Sequence, residues 1–256
     1  MRAKFFFPSV FLLLFLFSAD ISTVSSRGNH EQNREVRQNY QNALKQLGRI
    51  YFEARNGKYS RFNTTLYCGC RLIYSGKKPK KADHGSCGFR YRKNENKGRK
   101  IEWEHMMPVH RFAGNLACWK EGGRKKCQKN PGYRYIEGDM HNLAPAIGEI
   151  NSDRGNYPFA ALNTRPYQYG TCQMVVDFRR QLASPPPLAR GQVARAYLYM
   201  SKRYSIKLAA DEEKLYNFWN SHYPPTDWEC YRNSAIARIQ GNENTFITAS
   251  CKEKRQ

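Results

Sequence analysis

Apolar positions along the chain mark helices towards both ends and short strands between them. Val36, Tyr40, Leu44, Leu47 and Tyr51 recur at spacings of three and four, the signature of one helix face, and the run ends near Gly57. Shorter runs follow. Leu66 to Tyr74 reads as a strand broken by Gly76 and Pro79, Phe89 to Arg92 as a second, and Ile101 to His105 as a third. From Gly114 to Gly138 the pattern lapses into a loop rich in Gly, Lys and Arg, and a helix pattern resumes after Pro145. Ser184-Pro185-Pro186-Pro187 is a stiff punctuation point. Beyond it, Val193, Tyr197, Met200 and Tyr204 mark one helix face, and Leu215, Phe218 and Trp219 another that ends before Pro224. Thr226-Asp227-Trp228-Glu229 has the form of a capping box. Its helix carries Ile236 and Ile239 and stops at Gly241, a position suited to a left-handed cap. With no repeat and no flexible linker, the pattern predicts one mixed α+β domain.

The amino terminus departs from this pattern. Arg2 and Lys4 precede a run from Phe5 to Phe17 that is apolar apart from Ser9, and small and polar residues follow through Ser26. That order predicts a secretory signal over residues 1–26, cut anywhere from Ala19 to Ser26, with the mature domain at 27–256. The apolar run is too short for a stable membrane anchor, and no later stretch is long enough for one. Residues 27–34 are polar and predict disorder. Export changes the reading of the cysteines. All 8 lie in the mature part, and an oxidising compartment favours disulfides. Cys118 and Cys127, flanking a Gly- and Lys-rich loop, are the first pair expected. The rival is zinc on Cys68, Cys70, His84 and Cys87, whose spacing matches no usual zinc pattern.

Lys and Arg number 43 against 21 Asp and Glu, a net charge of +22. Such an excess points to a polyanionic partner: nucleic acid, an acidic lipid surface or an acidic glycan. If the partner is a phosphodiester, the segment "KIEWEHMMPVHRF" (Lys100 to Phe112) becomes a candidate site. A neutral imidazole, His105, can take a proton from water near neutral pH. Glu104 beside it can hold a hard cation, which needs only one or two protein oxygens. Asn142, ahead of the helix expected after Pro145, offers a neutral oxygen. Arg124, Lys125 and Lys126 lie on the intervening basic loop, where an arginine can grip a phosphate through two parallel hydrogen bonds. Adjacent residues of a regular strand face opposite ways. If Glu104 and His105 serve one site, the strand must therefore end or twist between Glu104 and Met106.

Four segments taken in order, "IEWEHMMP", "DMHNLAPAIGEINSDRGN", "PPPLARGQVARAYLYM" and "YPPTDWECYRNSAIARIQGNEN", resemble the bacterial endonuclease I family from about Tyr40 to Cys251. The resemblance implies a disulfide-stapled α+β domain with a central ββα-metal (His-Me finger) motif surrounded by helices. It implies a periplasmic or secreted, monomeric nuclease of little sequence preference. Such an enzyme would grip double- and single-stranded DNA, and RNA, through phosphates and leave 5′-phosphate ends. One Mg²⁺ would serve the site, with Mn²⁺ as a substitute. Carried onto this chain, His105 is the general base, Glu104 and Asn142 the metal ligands and Arg124 the phosphate-binding residue, with Arg99 or Lys126 as its stand-ins. His110 and His141 read as supporting, Asp139 and Asp153 as outer acceptors or helix-end charges, and His84 and His222 as structural or surface residues. Trp103 reads as core, and Arg190, Arg195 and Arg203 extend the phosphate surface or form a solvated face. The rival of another class is a non-catalytic secreted protein that coats nucleic acid or acidic glycans.

Overall fold

In the computed structural model, residues 38–162 and 168–253 are described, so the signal segment, the polar stretch at 27–34 and Val36 lie outside the described residues. Helix α1 spans Tyr40–Glu53 and is capped by the Asn39 side chain, which accepts from Asn42 N. It buries Leu47 and Tyr51 as its periodicity predicts, while Tyr40 and Leu44 stay half-buried on the wall of a cavity described below. The hairpin β1 (Arg71–Ser75) and β2 (Lys78–Asp83) follows, antiparallel about Gly76-Lys77. It occupies only the end of the predicted Leu66–Tyr74 run. Leu66 to Cys70 instead bends back, pinned by Cys68–Cys172 and Cys70–Cys87. Those two bridges exclude the zinc reading. Phe89 keeps a single bridge to Gly170 rather than a strand. The expected pair Cys118–Cys127 is present, and Cys230–Cys251 completes the set.

The central motif begins after the short helix α2 (Glu95–Gly98). Strand β3 (Ile101–His105) is followed by helices α3 (Val109–Ala113), α4 (Ala117–Cys127) and α5 (Pro131–Glu137). The predicted loop at Gly114–Gly138 is therefore largely helical. The cause is local: Cys118–Cys127 ties α4 end to end, and the Asn130 side chain caps α5 by accepting from Tyr133 N. Strand β4 (Leu143–Ile147) then pairs antiparallel with β3, and α6 (Gly148–Arg154) leads away from it. The helix expected directly after Pro145 thus begins three residues later, because Leu143 to Ile147 is a fully buried strand. A β-carbon at Gly148 would lie 2.8 Å from Lys97 O and 3.1 Å from the Glu102 carboxyl. Only glycine lets the chain turn from β4 into α6 so close to β3.

A small hairpin, β5 (Val175–Asp177) with β6 (Leu182–Ser184), precedes the carboxy-terminal helices. These are α7 (Pro187–Tyr204), α8 (Ala210–His222), α9 (Asp227–Gln240) and α10 (Thr245–Glu253). Helix α9 carries the predicted Thr226/Glu229 capping box and ends at Gly241 with φ of 85°. The β3–β4 ribbon lies between two apolar clusters. Met106, Ala144, Ala146 and Ile150 join α7 and α8 residues on one side, and Leu143 joins Leu47, Tyr51, Trp228 and Ile236 on the other. Each buried Leu, Ile or Met side chain contributes about 1.5–3 kcal/mol, so apolar packing holds the ribbon from both faces. Among the described residues no helix is long and apolar enough to cross a membrane.

Candidate active site

The pleat of β3 stays regular to its last residue, with Glu104 opposite Ala144 and His105 opposite Leu143. Glu102 and Glu104 reach towards α6, where they meet Asn151 and Arg154. Trp103 and His105 face α1, where their rings contact Tyr51 and Tyr40. The strand ends at His105, within the expected interval, but the expected break in its alternation before that residue does not occur. There both faces open into one cavity of about 570 Å³, lined by Glu102, Glu104, His105, Arg124 and Asn151 among others. Neighbours on opposite faces share a site because the cavity wraps the end of a narrow ribbon.

His105 is buried, and its ring stacks on Tyr40 with centroids 5.2 Å apart. Its Nε2 lies 2.9 Å from Glu137 O, so Nε2 carries the proton and Nδ1 keeps its lone pair. Burial pushes the imidazole down to about 4; the Glu137 carbonyl opposes that shift and the Arg124 charge adds to it. The ring is thus neutral, and a proton acceptor, at neutral pH. In an NMR titration of the metal-free protein, the midpoint of His105 should fall near pH 4. A midpoint near the ordinary ~6.5 would contradict this environment.

Glu137, fully buried, links two parts of the site. Its backbone carbonyl orients His105, while its carboxylate accepts from Arg124 Nε at 2.6 Å, from Tyr133 and from Gln128. Arg124 also lies over Tyr40, 4.6 Å from the ring centroid. It reaches the cavity because α4 bends at Gly122 and Gly123. Gly123 has φ 60° and ψ −149°, a conformation essentially restricted to glycine. With Nε committed to Glu137, the guanidinium lies on the cavity wall beside the Tyr40 ring, where an anion can meet it. Neither proposed stand-in lines this cavity: Arg99 pairs with Glu95, and the Lys126 side chain packs over Gly122.

Glu104 is buried, and its Oε1 accepts from Tyr67 Oη at 2.6 Å and Arg154 Nη1 at 3.0 Å. Burial raises its pKa, against the pull of Arg154 and Tyr67. Arg154 is itself fully buried. Its Nη1 also donates to His105 O, and its Nη2 to Met106 O and Tyr197 Oη. One guanidinium therefore clasps three successive residues at the end of β3. In the sequence Arg154 looks like an ordinary helix-terminal cation, and nothing in its spacing marks it.

Asn142 is not brought to the cavity. It is fully buried, with Oδ1 accepting from Met107 N at 2.7 Å and Nδ2 donating to Met107 O at 2.9 Å. Both ends of its amide are used to fix the turn after β3. The asparagine on the cavity wall is Asn151 of α6, whose Nδ2 donates to Glu102 Oε2 at 2.6 Å. The sequence reading places Asn142 at a helix start, whereas the strand Leu143–Ile147 intervenes and the helix that lines the cavity begins at Gly148. Glu104 and Asn151, with Glu102 behind them, form an all-oxygen donor set suited to a hard divalent cation. Among the described residues no group of three or more His, Cys, Asp and Glu could hold a metal; a cation that keeps most of its waters needs no such group.

Of the supporting residues, His110 lines the cavity, whereas His141 is buried with Nε2 on Asn242 O. Asp139 accepts from Tyr199 and Tyr204, and Asp153 pairs with Arg92. His84 meets Gly98 O, and His222 stacks on Phe218. Arg195 is buried against Glu229, Arg203 bonds Tyr135 and Arg190 bonds Tyr223. Arg195 therefore belongs to the core rather than to a phosphate surface.

Comparison with known proteins gives the family independently of this geometry. The family model described as Endonuclease I matches residues 38–251. A periplasmic deoxyribonuclease of Aeromonas hydrophila is 50% identical over 194 residues, 75% of this chain and 81% of the relative. An extracellular deoxyribonuclease of the same organism is 50% identical over 197 residues, 77% of this chain and 86% of the relative. Endonuclease-1 of Buchnera aphidicola subsp. Acyrthosiphon pisum is 46% identical over 190 residues, 74% and 76% of the two chains.

Proposed function

We propose that this chain, which belongs to the endonuclease I family, is an exported, sequence-non-specific endonuclease. It would hydrolyse DNA, and RNA, to 5′-phosphate ends with the help of Mg²⁺, for which Mn²⁺ can stand in. Export rests on the amino-terminal signal pattern over residues 1–26 and on relatives named as periplasmic and extracellular. The observation that carries the reading is the meeting of a neutral, buried His105 with Glu104 and Arg124 in one cavity.

In this reading His105 Nδ1 takes the proton from the attacking water, while Glu137 O holds the ring by Nε2. Arg124 grips the scissile phosphate with its guanidinium and disperses the charge that grows there. Tyr40 keeps the imidazole and the guanidinium in place from the other side. Glu104 and Asn151 would hold the cation, which supplies charge neutralisation at the leaving 3′-oxygen. Arg154 and Tyr67 fix the Glu104 carboxylate so that one oxygen remains for that task. Contacts to phosphates rather than base edges give little sequence preference and a steep loss of affinity with salt.

A plasmid-nicking assay on the oxidised protein tests this directly. Cutting should require Mg²⁺ or Mn²⁺ and stop in EDTA. Tight binding without cutting under any divalent cation would favour the nucleic-acid-coating alternative.

The two asparagines separate in a further test. Asn151→Ala should weaken cation binding, read by calorimetry, by at least the 10–100-fold typical of altered metal surroundings. Asn142→Ala should lower the melting temperature by stranding buried polar groups of Met107, at about 1–3 kcal/mol, with the cation isotherm kept. The reverse pattern would restore Asn142 as the ligand.

A further inference from the structure

A second cavity, of about 510 Å³, adjoins the first, and Tyr40 and Arg124 line both. The rest of its lining is Asn39, Gln41, Gln128 and Arg134, so it presents two guanidiniums, three amides and no carboxylate. The shared wall is anchored from beneath, because Arg124 Nε and Gln128 Nε2 both donate to the buried Glu137 carboxylate. Arg134 differs from its neighbours. It is half-buried, its Nε is sealed from solvent without a partner, and its side chain has no ion pair among the described residues. A guanidinium without an ion pair beside a carboxylate-free, amide-lined hollow is a receptor for an anion with several acceptor oxygens.

We propose that this second cavity seats a neighbouring backbone phosphate of the same strand that is cut in the first, with Arg134 as its principal contact. The inference rests on the nuclease reading of the first cavity. Two phosphates of one strand would then flank the Tyr40–Arg124 wall. The strand would be fixed in direction across the site without any contact to a base edge. A carboxylate-free lining excludes a cation as occupant, and its polarity disfavours an apolar ligand.

The test uses a short labelled single-stranded oligonucleotide and the full mature protein in EDTA, with binding read by fluorescence anisotropy. In one series each phosphate in turn is replaced by an uncharged methylphosphonate. Wild type should lose about tenfold in affinity, the scale of a charged hydrogen bond, at one position beside the scissile phosphate. Arg134→Gln should bind the unmodified strand about tenfold more weakly, and its affinity should no longer depend on that methylphosphonate. Its slope of log affinity against log salt should fall by about 0.7, the single-strand value for one contact. Arg134→Lys should keep that slope. Melting curves show whether the variants are folded, and the wild-type scan stands without them.

A wild-type scan with no penalty beyond the scissile phosphate overturns the proposal. So does a folded Arg134→Gln that keeps the full penalty. Because the readout is binding without metal, failure here with a wild type that nicks plasmid leaves the nuclease reading intact. A wild type that shows the penalty yet never cuts removes that reading alone.

Discussion

Arg154→Ala should destabilise the metal-free protein by about 3–5 kcal/mol, the range for breaking a buried ion pair from one side. The substitution strands the Glu104 carboxylate in the core and takes hydrogen bonds from His105 O, Met106 O and Tyr197 Oη at once. Denaturant unfolding at pH 7 measures the effect. The sign of its pH dependence follows from Glu104. Its folded pKa already lies above the ordinary carboxylate value through burial, and Arg154 is the larger of the two influences restraining that rise. Without Arg154 the folded state favours the protonated acid more strongly. The penalty is then full above the raised folded pKa and shrinks as pH falls and Glu104 takes up its proton. Arg154→Lys should recover only part of the loss, because one ammonium cannot replace a fork that reaches two strand carbonyls and a carboxylate. A loss under about 1 kcal/mol, far below that range, would mean that the clasp is incidental to stability.

His105→Ala should lower the cleavage rate by the 10²–10⁴-fold typical of a positioned acid–base group while leaving oligonucleotide affinity in EDTA close to wild type. The imidazole contributes a lone pair and little binding surface, and the phosphate contacts belong to Arg124 and the other cations. The substitution also strands the Glu137 carbonyl and leaves a hole against Tyr40, a cost of about 1–3 kcal/mol, so melting curves accompany the assay. Single-turnover cleavage with excess enzyme reads the chemical step, and anisotropy reads the binding. Undiminished cutting would remove His105 from the reaction. A variant that neither cuts nor binds, though folded, would show that the ring supports the phosphate site instead.

Much of this protein is legible before folding is considered. The spacing of Tyr40, Leu44, Leu47 and Tyr51 predicts α1, and Thr226, Glu229 and Gly241 predict both ends of α9. These signals are local. A helix face or a cap is decided by residues three or four apart, which the chain itself keeps in contact. The pair Glu104-His105 stands out in the same way, as does Cys118–Cys127, whose partners are close in sequence.

What the sequence left open depends on partners far apart along the chain. Leu143-Ala144-Pro145-Ala146-Ile147 is an unbroken apolar run, and such a run reads equally as buried helix or buried strand until its partner β3 is known. From that one ambiguity the choice of asparagine followed: α6 starts at Gly148, so Asn151 faces the cavity while Asn142 is spent on Met107. Arg154 and Glu137 carry no sequence mark, because their roles are bonds to backbone and side chains that only folding brings within 3 Å. Local chemistry alone thus determined the first helix and the carboxy-terminal helices, the capping box, the cationic surplus and the candidate histidine. Tertiary structure decided which oxygen donors surround that histidine and which buried charges hold it there, because burial and long-range hydrogen bonding exist only once distant segments have met.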